Sequence, residues 1–157
     1  MAYGAKKIGV PPPEAVGFPS KVRARSNASQ ELVNSARVYI TFNDEIFDGL
    51  GEYNPDTGVF TAAADGYYFI SALVSLETAD GTTFSGHIEF RIEAANDISH
   101  EYNHNFSTTD RAAGIVTGCF YLTKGQTLRI RVGQWTGVTL YTGAELELDC
   151  LYIRRFA

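Results

Sequence analysis

The 157 residues are 45% hydrophobic and 20% charged, with Phe 10 and Tyr 9 against a single Met and a single Trp, a globular balance tilted toward residues that favour strands. A chain of this length fits one domain able to bury a sizeable core without staples. A formal charge of -5 and a pI near 5.1 exclude a nucleic-acid binder, which needs a basic surface for phosphate contacts.

Residues 1–19 hold Gly4, Gly9, Pro11, Pro12, Pro13, Gly17 and Pro19. Such a composition propagates neither helix nor sheet and favours an extended path, so this segment is predicted to be an arm and residues 20–157 a head. Tyr3, Ile8, Val10 and Phe18 are its apolar anchors, and Lys6 and Lys7 add positive charge to an acidic protein. No apolar run follows the first residues and no stretch approaches the roughly 20 apolar residues of a membrane helix, so neither a secretory signal nor a membrane span is expected.

From residue 20 onward the pattern is strand after strand. Lys21, Arg23 and Arg25 alternate with Val22 and Ala24 as on a half-buried strand; Val38, Ile40 and Phe42 alternate with Arg37, Tyr39 and Thr41. The stretch from Tyr67 to Leu76 breaks the alternation by being apolar on both faces, which implies cover on both sides. A two-layer sandwich covers only one face, so Tyr67, Phe69 and Leu73 are predicted to meet a neighbouring subunit. Alternation resumes at Phe84, Ile88, Phe90 and Ile92, again at Leu128, Ile130 and Val132, and at Leu146, Leu148, Cys150 and Tyr152. Turn signals separate these runs at Asn54-Pro55-Asp56-Thr57-Gly58, Asp65-Gly66, Asp80-Gly81 and Lys124-Gly125. About ten short strands with no amphipathic helix indicate an all-β antiparallel sandwich or jelly roll.

Candidate chemistry is sparse. His100-Glu101-Tyr102-Asn103-His104 satisfies the HExxH zinc pattern, which requires a helix to place both histidines one turn apart. Here Ile98, His100, Tyr102, His104 and Phe106 alternate with polar residues, so the segment is predicted to be a strand. Positions four apart on a strand are separated by about 13 Å, beyond the reach of one ion. Ser85-Gly86-His87 forms no nucleophile elbow, and no glycine-rich loop joins a strand to a helix. No catalytic or metal-ligating residue is therefore assigned. Trp135, with Tyr141 near it, is the candidate aromatic surface for a sugar or protein partner. Cys119 and Cys150 lack the spacing of a metal or redox motif and are expected to be buried free thiols.

Phe42-Asn43-Asp44, Tyr53-Asn54-Pro55-Asp56-Thr57-Gly58-Val59-Phe60 and Asp65-Gly66-Tyr67-Tyr68-Phe69 together resemble the signature of globular heads of the complement C1q and tumour-necrosis-factor type. Residues 118–134 resemble that family's hairpin around a Lys-Gly turn, and residues 144–156 its closing strand. The resemblance spans roughly residues 20–157 and implies a ten-stranded jelly roll assembling as a homotrimer. Departures are the missing Gly-X-Y collagen stalk, in whose place the arm stands, and Thr61-Ala62-Ala63-Ala64, which lacks the usual proline. Relatives of this fold bind calcium near the trimer apex; Asp44, Asp48, Asp56, Asp80 and Asp97 could supply oxygen ligands, but as loop acids they are expected to be solvated, and no cofactor is assigned. Because a fold does not specify a function, two settings stand open. The first is a non-enzymatic decoration protein of a virus particle, of a bacteriophage capsid or tail, fixed by the arm to other virion proteins and facing a host surface ligand. The second is a secreted head recognising a ligand or glycan outside the cell.

Overall fold

In the computed structural model, which describes residues 20–94, 99–108, 111–143 and 149–156, the period-two stretches become thirteen strands and no helix. They are β1 (Lys21–Arg25), β2 (Glu31–Leu32), β3 (Ala36–Ile40), β4 (Asp44–Asp48), β5 (Tyr53–Asn54), β6 (Val59–Thr61), β7 (Gly66–Glu77), β8 (Phe84–Ala94), β9 (Ser99–Thr108), β10 (Arg111–Leu122), β11 (Thr127–Trp135), β12 (Leu140–Thr142) and β13 (Cys150–Phe156). Their number exceeds ten because β2, β5, β6 and β12 are pieces of two or three residues at sheet ends. The predicted arm, with Tyr3, Ile8, Val10 and Phe18, lies outside the described residues, as do Asp97, Leu146 and Leu148.

Two antiparallel sheets face each other. The seven-stranded sheet runs β2-β12-β7-β13-β1-β4 with β10 on the other side of β7; the six-stranded sheet runs β5-β6-β11-β8-β9 with β3 beside β11. Between them lies one core. Strict alternation drives its formation: on β10, Ala112, Gly114, Val116, Gly118, Phe120 and Leu122 point inward, while Ala113, Ile115, Thr117, Cys119 and Tyr121 point outward. From the facing sheet Phe84, Ile88, Phe90, Ile92, Leu128, Ile130 and Val132 fill the space between. Burying each such side chain contributes about 1.5–3 kcal/mol, so the core supplies the main driving force.

Two buried tyrosine hydroxyls in the core are paired. The buried Tyr53 hydroxyl accepts the Phe42 N–H at 3.0 Å, and burial, countered only in part by that hydrogen bond, pushes its pKa up to about 12. Tyr68, whose ring meets Phe60 edge-on at 5.5 Å, donates its hydroxyl to the Ala64 carbonyl at 2.7 Å. Two glycines are required by geometry. Gly58 turns the chain at φ 69°, and a Cβ there would lie 2.6 Å from the Ile40 carbonyl oxygen. At Gly114 a Cβ would lie 2.3 Å from the Phe90 ring, so the facing sheet reaches its depth only because β10 carries no side chain there.

Direction along β7 defines the two ends of the head. Its first residue, Gly66, marks the base, where the Arg155 N–H binds the Ser20 carbonyl at 3.0 Å and the Lys124 N–H binds Asp65 Oδ1 at 2.8 Å. Its last residue, Glu77, marks the top, beside the turn at Gly81 and the buried Asp149. Ser20, the first described residue, therefore lies at the base. No helix among the described residues is long and apolar enough to cross a membrane.

Candidate functional site

The outward face of the seven-stranded sheet carries a contiguous apolar surface. Across β10, β7 and β13 the register sets Tyr121 opposite Tyr67 and Tyr67 opposite Phe156; Cys119, Phe69 and Arg154 form the next row, then Thr117, Ser71 and Tyr152, then Ile115, Leu73 and Cys150. Residues opposite one another share a face, so these rows form one continuous patch. Exposure is high for side chains of this kind: 56% for Tyr67 and Ile115, 50% for Tyr121 and 48% for Phe156. Phe69 and Leu73 are half-buried among them. Tyr67, Phe69 and Leu73 thus stand on the outward side of β7, brought together as the two-faced sequence of that strand implied. Beyond β13 the face turns basic, with Arg23 opposite Tyr152 and Lys21 opposite Arg154. There Lys21 Nζ lies 5.6 Å from the Phe47 ring centroid.

Sequence reasoning missed half of this patch. Ile115, Cys119 and Tyr121 alternate with inward residues that are themselves apolar or glycine, the same two-faced signal found on β7, but the intervening glycines and Thr117 weaken it. Both thiols depart from expectation as well. Cys119 is exposed, because Gly118 and Phe120 hold the inward positions of β10. Cys150 is only half-buried and stands opposite Leu73 on the outward face, since Leu151 and Ile153 are the inward residues of β13. Leu146 and Leu148, whose parity predicts its burial, lie outside the described residues. Among the described residues both cysteines are free.

A second apolar strip lies along β9. Tyr102 stands opposite Phe90, His104 opposite Ile88 and Phe106 opposite Gly86, so the three share the core side of the six-stranded sheet. They nevertheless lie at its edge, where among the described residues β9 pairs with β8 alone, and Tyr102 is 45% exposed. Their rings touch in series: Tyr102 stacks on His104 at 5.9 Å and 10°, and His104 meets Phe106 edge-on at 4.5 Å and 60°. The segment is the strand that the alternation predicted, which separates positions 100 and 104 by about 13 Å and denies HExxH its shared ion.

The outward face of the six-stranded sheet is a lattice of ion pairs. Glu89 receives Arg37 at 3.2 Å and Arg131 at 3.2 Å, and Arg131 also reaches Glu93 at 2.8 Å. Burial raises the pKa of Glu89, yet the hydrogen bonds and charges of the two guanidinium groups outweigh it and hold the carboxyl below its usual value. Trp135 packs into this lattice, its ring 4.9 Å from the Arg37 guanidinium and 5.4 Å from His87. Tyr141 is elsewhere: opposite Glu77 on β12, it belongs to the outward face of the other sheet. The structure therefore does not bring Trp135 and Tyr141 onto one surface.

Loop acids do not converge on a cation. Asp44 binds Arg25 at 2.6 Å, Asp48 accepts the N–H groups of Leu50 and Tyr53, and Asp80 accepts the Thr82 N–H. No group of three or more His, Cys, Asp or Glu that could hold a metal occurs among the described residues.

Comparison with known proteins follows the fold. The C1q domain profile matches residues 23–138. Among solved structures, the globular domain of zebrafish complement 1qA protein superposes with a TM-score of 0.64 at 17% identity, covering 88% of this chain and 98% of that one. Murine APRIL, crystallised at pH 5.0, gives 0.62 at 8% identity over 88% and 99%. Eiger TNF from S. frugiperda gives 0.56 at 12% identity over 88% and 93%. No curated protein sequence matches.

Proposed function

The chain belongs to the C1q domain family, and from that premise we propose that it is a non-enzymatic homotrimeric head, fixed by its N-terminal arm to a virus particle and displaying its top loops outward. Domains of this family form trimers and are typically ligand-binding modules without enzymatic activity. One observation carries the reading: Tyr67, Tyr121, Ile115 and Phe156, each about half exposed, form with Phe69 one contiguous apolar patch of the kind that marks protein interfaces. A differently shaped apolar strip, Tyr102 to Phe106, offers its complement. Pairing of two unlike surfaces is heterologous, and heterologous contacts that close generate rings. The face of one copy against the edge of the next is such a contact.

The arm supports the attachment part of the reading. Its three successive prolines favour an extended form of about 3 Å per residue and lessen the entropy lost on docking. The head's chain begins at the base, through Ser20, which leaves the top free. Three arms in one trimer multiply weak contacts into firm attachment. No cofactor enters this reading.

Members of the family are typically secreted or extracellular, and this favours the second setting, a secreted ligand-recognition head. Deleting residues 1–19 separates the two. In the virion reading the truncated chain remains a folded trimer and disappears from purified particles, whereas the full chain is found in them by mass spectrometry. If the full chain is absent from particles, the virion reading fails and the secreted one stands; if the truncated head attaches equally well, the arm is not the attachment device and the virion reading loses that support.

A further inference from the structure

At the top of the head, on the end opposite Ser20, the turn after β7 and the strand-to-strand connection before β12 enclose a recess of about 400 Å³, within the range of small-ligand sites. Thr78, Asp80, Thr82, Val138, Thr139 and Tyr141 line it. Its shape is fixed by hydrogen bonds: Thr78 donates its hydroxyl to the Thr82 carbonyl at 3.0 Å, and the Thr82 N–H binds Asp80 Oδ1 at 3.0 Å. Hydrogen bonds from the Thr82 side chain and backbone hold the Asp80 carboxyl below its usual value, so it is ionised at neutral pH.

The lining selects a chemical class. It contains one carboxylate, several hydroxyl groups, one aromatic ring and no cationic side chain. A phosphate or carboxylate ligand would meet Asp80 without a counter-charge. A single carboxylate is too few for calcium, which takes six to eight oxygens. A pair of adjacent sugar hydroxyls can donate to a carboxylate, its strongest available acceptor, while the apolar face of a pyranose ring stacks on a tyrosine. The recess at the base, lined by residues from Gly51 to Thr61, lacks the second element, because the Tyr53 ring is buried and its hydroxyl is taken by Phe42.

We propose that the top recess is a binding site for a neutral saccharide, with Tyr141 stacking on the ring and Asp80 accepting from paired hydroxyls. The inference deepens the display reading by giving the displayed end a ligand class, and it rests on the top remaining accessible once the base is attached.

Saturation-transfer NMR on the full chain with millimolar methyl α-mannoside, methyl β-galactoside, methyl α-rhamnoside and N-acetylglucosamine tests it. Transfer to at least one sugar is expected. Asp80→Asn and Tyr141→Ala should each weaken that binding by about tenfold or more, the loss of one charge-assisted hydrogen bond or one stacking contact. Tyr141→Phe keeps the ring and should keep binding, and Trp135→Ala, on the opposite face, should leave it within about twofold. No transfer to any of the four sugars overturns the proposal, as does binding that survives both Asp80→Asn and Tyr141→Ala. Neither result touches the attachment reading, which the arm deletion and particle composition decide.

Discussion

Tyr67 and Tyr121 stand directly opposite one another on β7 and β10, their rings 5.2 Å apart at 70°, with both side chains at least half exposed. An edge-on aromatic pair on an outward face is preformed for a partner, since neither ring needs to reorient on docking. Sedimentation of the full chain should give three times the 17.2 kDa protomer mass. Tyr67→Arg with Tyr121→Arg should produce a folded monomer, because buried aromatic anchors of this kind each contribute about 2 kcal/mol or more to association. A wild-type chain that stays monomeric at micromolar concentration would remove the assembly argument.

The thiols report on the same surface. Cys119 and Cys150 stand on strands separated by β7, in register with Phe69 and Leu73 respectively, so no bond forms between them within one chain. Removing reductant should leave the mass and the melting temperature unchanged. Iodoacetamide should label Cys119 readily in the Tyr67→Arg, Tyr121→Arg monomer and slowly in the wild-type assembly. Equal labelling rates in the two proteins would place Cys119 outside the interface.

Asp149 links pH to stability. It is fully buried, its Oδ1 accepts both the N–H and the hydroxyl of Ser75 at 2.6 Å, and its Oδ2 has no hydrogen-bond partner among the described residues. Burial pushes its pKa above the ordinary 3.8, with the Ser75 hydrogen bonds and Arg111 opposing and Glu77 adding to the rise. The folded state therefore holds this proton more tightly than the unfolded chain. Its contribution is complete below the unfolded value and is lost as pH rises through the folded one. Urea midpoints measured from about pH 4 to pH 7 should include a decline from this group that Asp149→Asn removes. An unchanged pH profile in the variant would show that Asp149 titrates normally.

Gly114 sets the spacing of the sheets where β10 meets Phe90. Gly114→Ala should destabilise the head by about 1–3 kcal/mol through overpacking, visible as a lower urea midpoint. Paired with Phe90→Leu, it should recover part of that loss. A neutral single substitution would mean that the two sheets are loosely packed at this point.

Much of the architecture was legible because alternation with period two depends only on each residue's own polarity. β7 announced its two apolar faces through Tyr67, Phe69 and Leu73, and the His100 to His104 segment declared itself a strand. Other features depend on what lies opposite in space. Cys119 reads as an apolar core residue until Gly118 and Phe120 are seen to occupy the inward positions. Trp135 and Tyr141 are six positions apart in sequence, yet they diverge to opposite faces because the chain crosses from one sheet to the other between β11 and β12. The edge strip on β9 was hidden for a further reason. Tyr102, His104 and Phe106 have core parity, yet among the described residues β9 is the edge strand of its sheet, and Tyr102 is 45% exposed.

The carbonyl of Ser20 is tied to Arg155 at the base, and from there β1 runs toward the top between β13 and β4. Five residue pairs join it to β13 and four to β4. Tension applied at residue 20 along the strand axis meets both ladders sideways, because antiparallel hydrogen bonds lie perpendicular to the strands. The bonds then share the load and yield together, instead of opening one by one as in a peeled edge. A head held at this point is mechanically tougher under pulling than its thermodynamic stability alone would indicate.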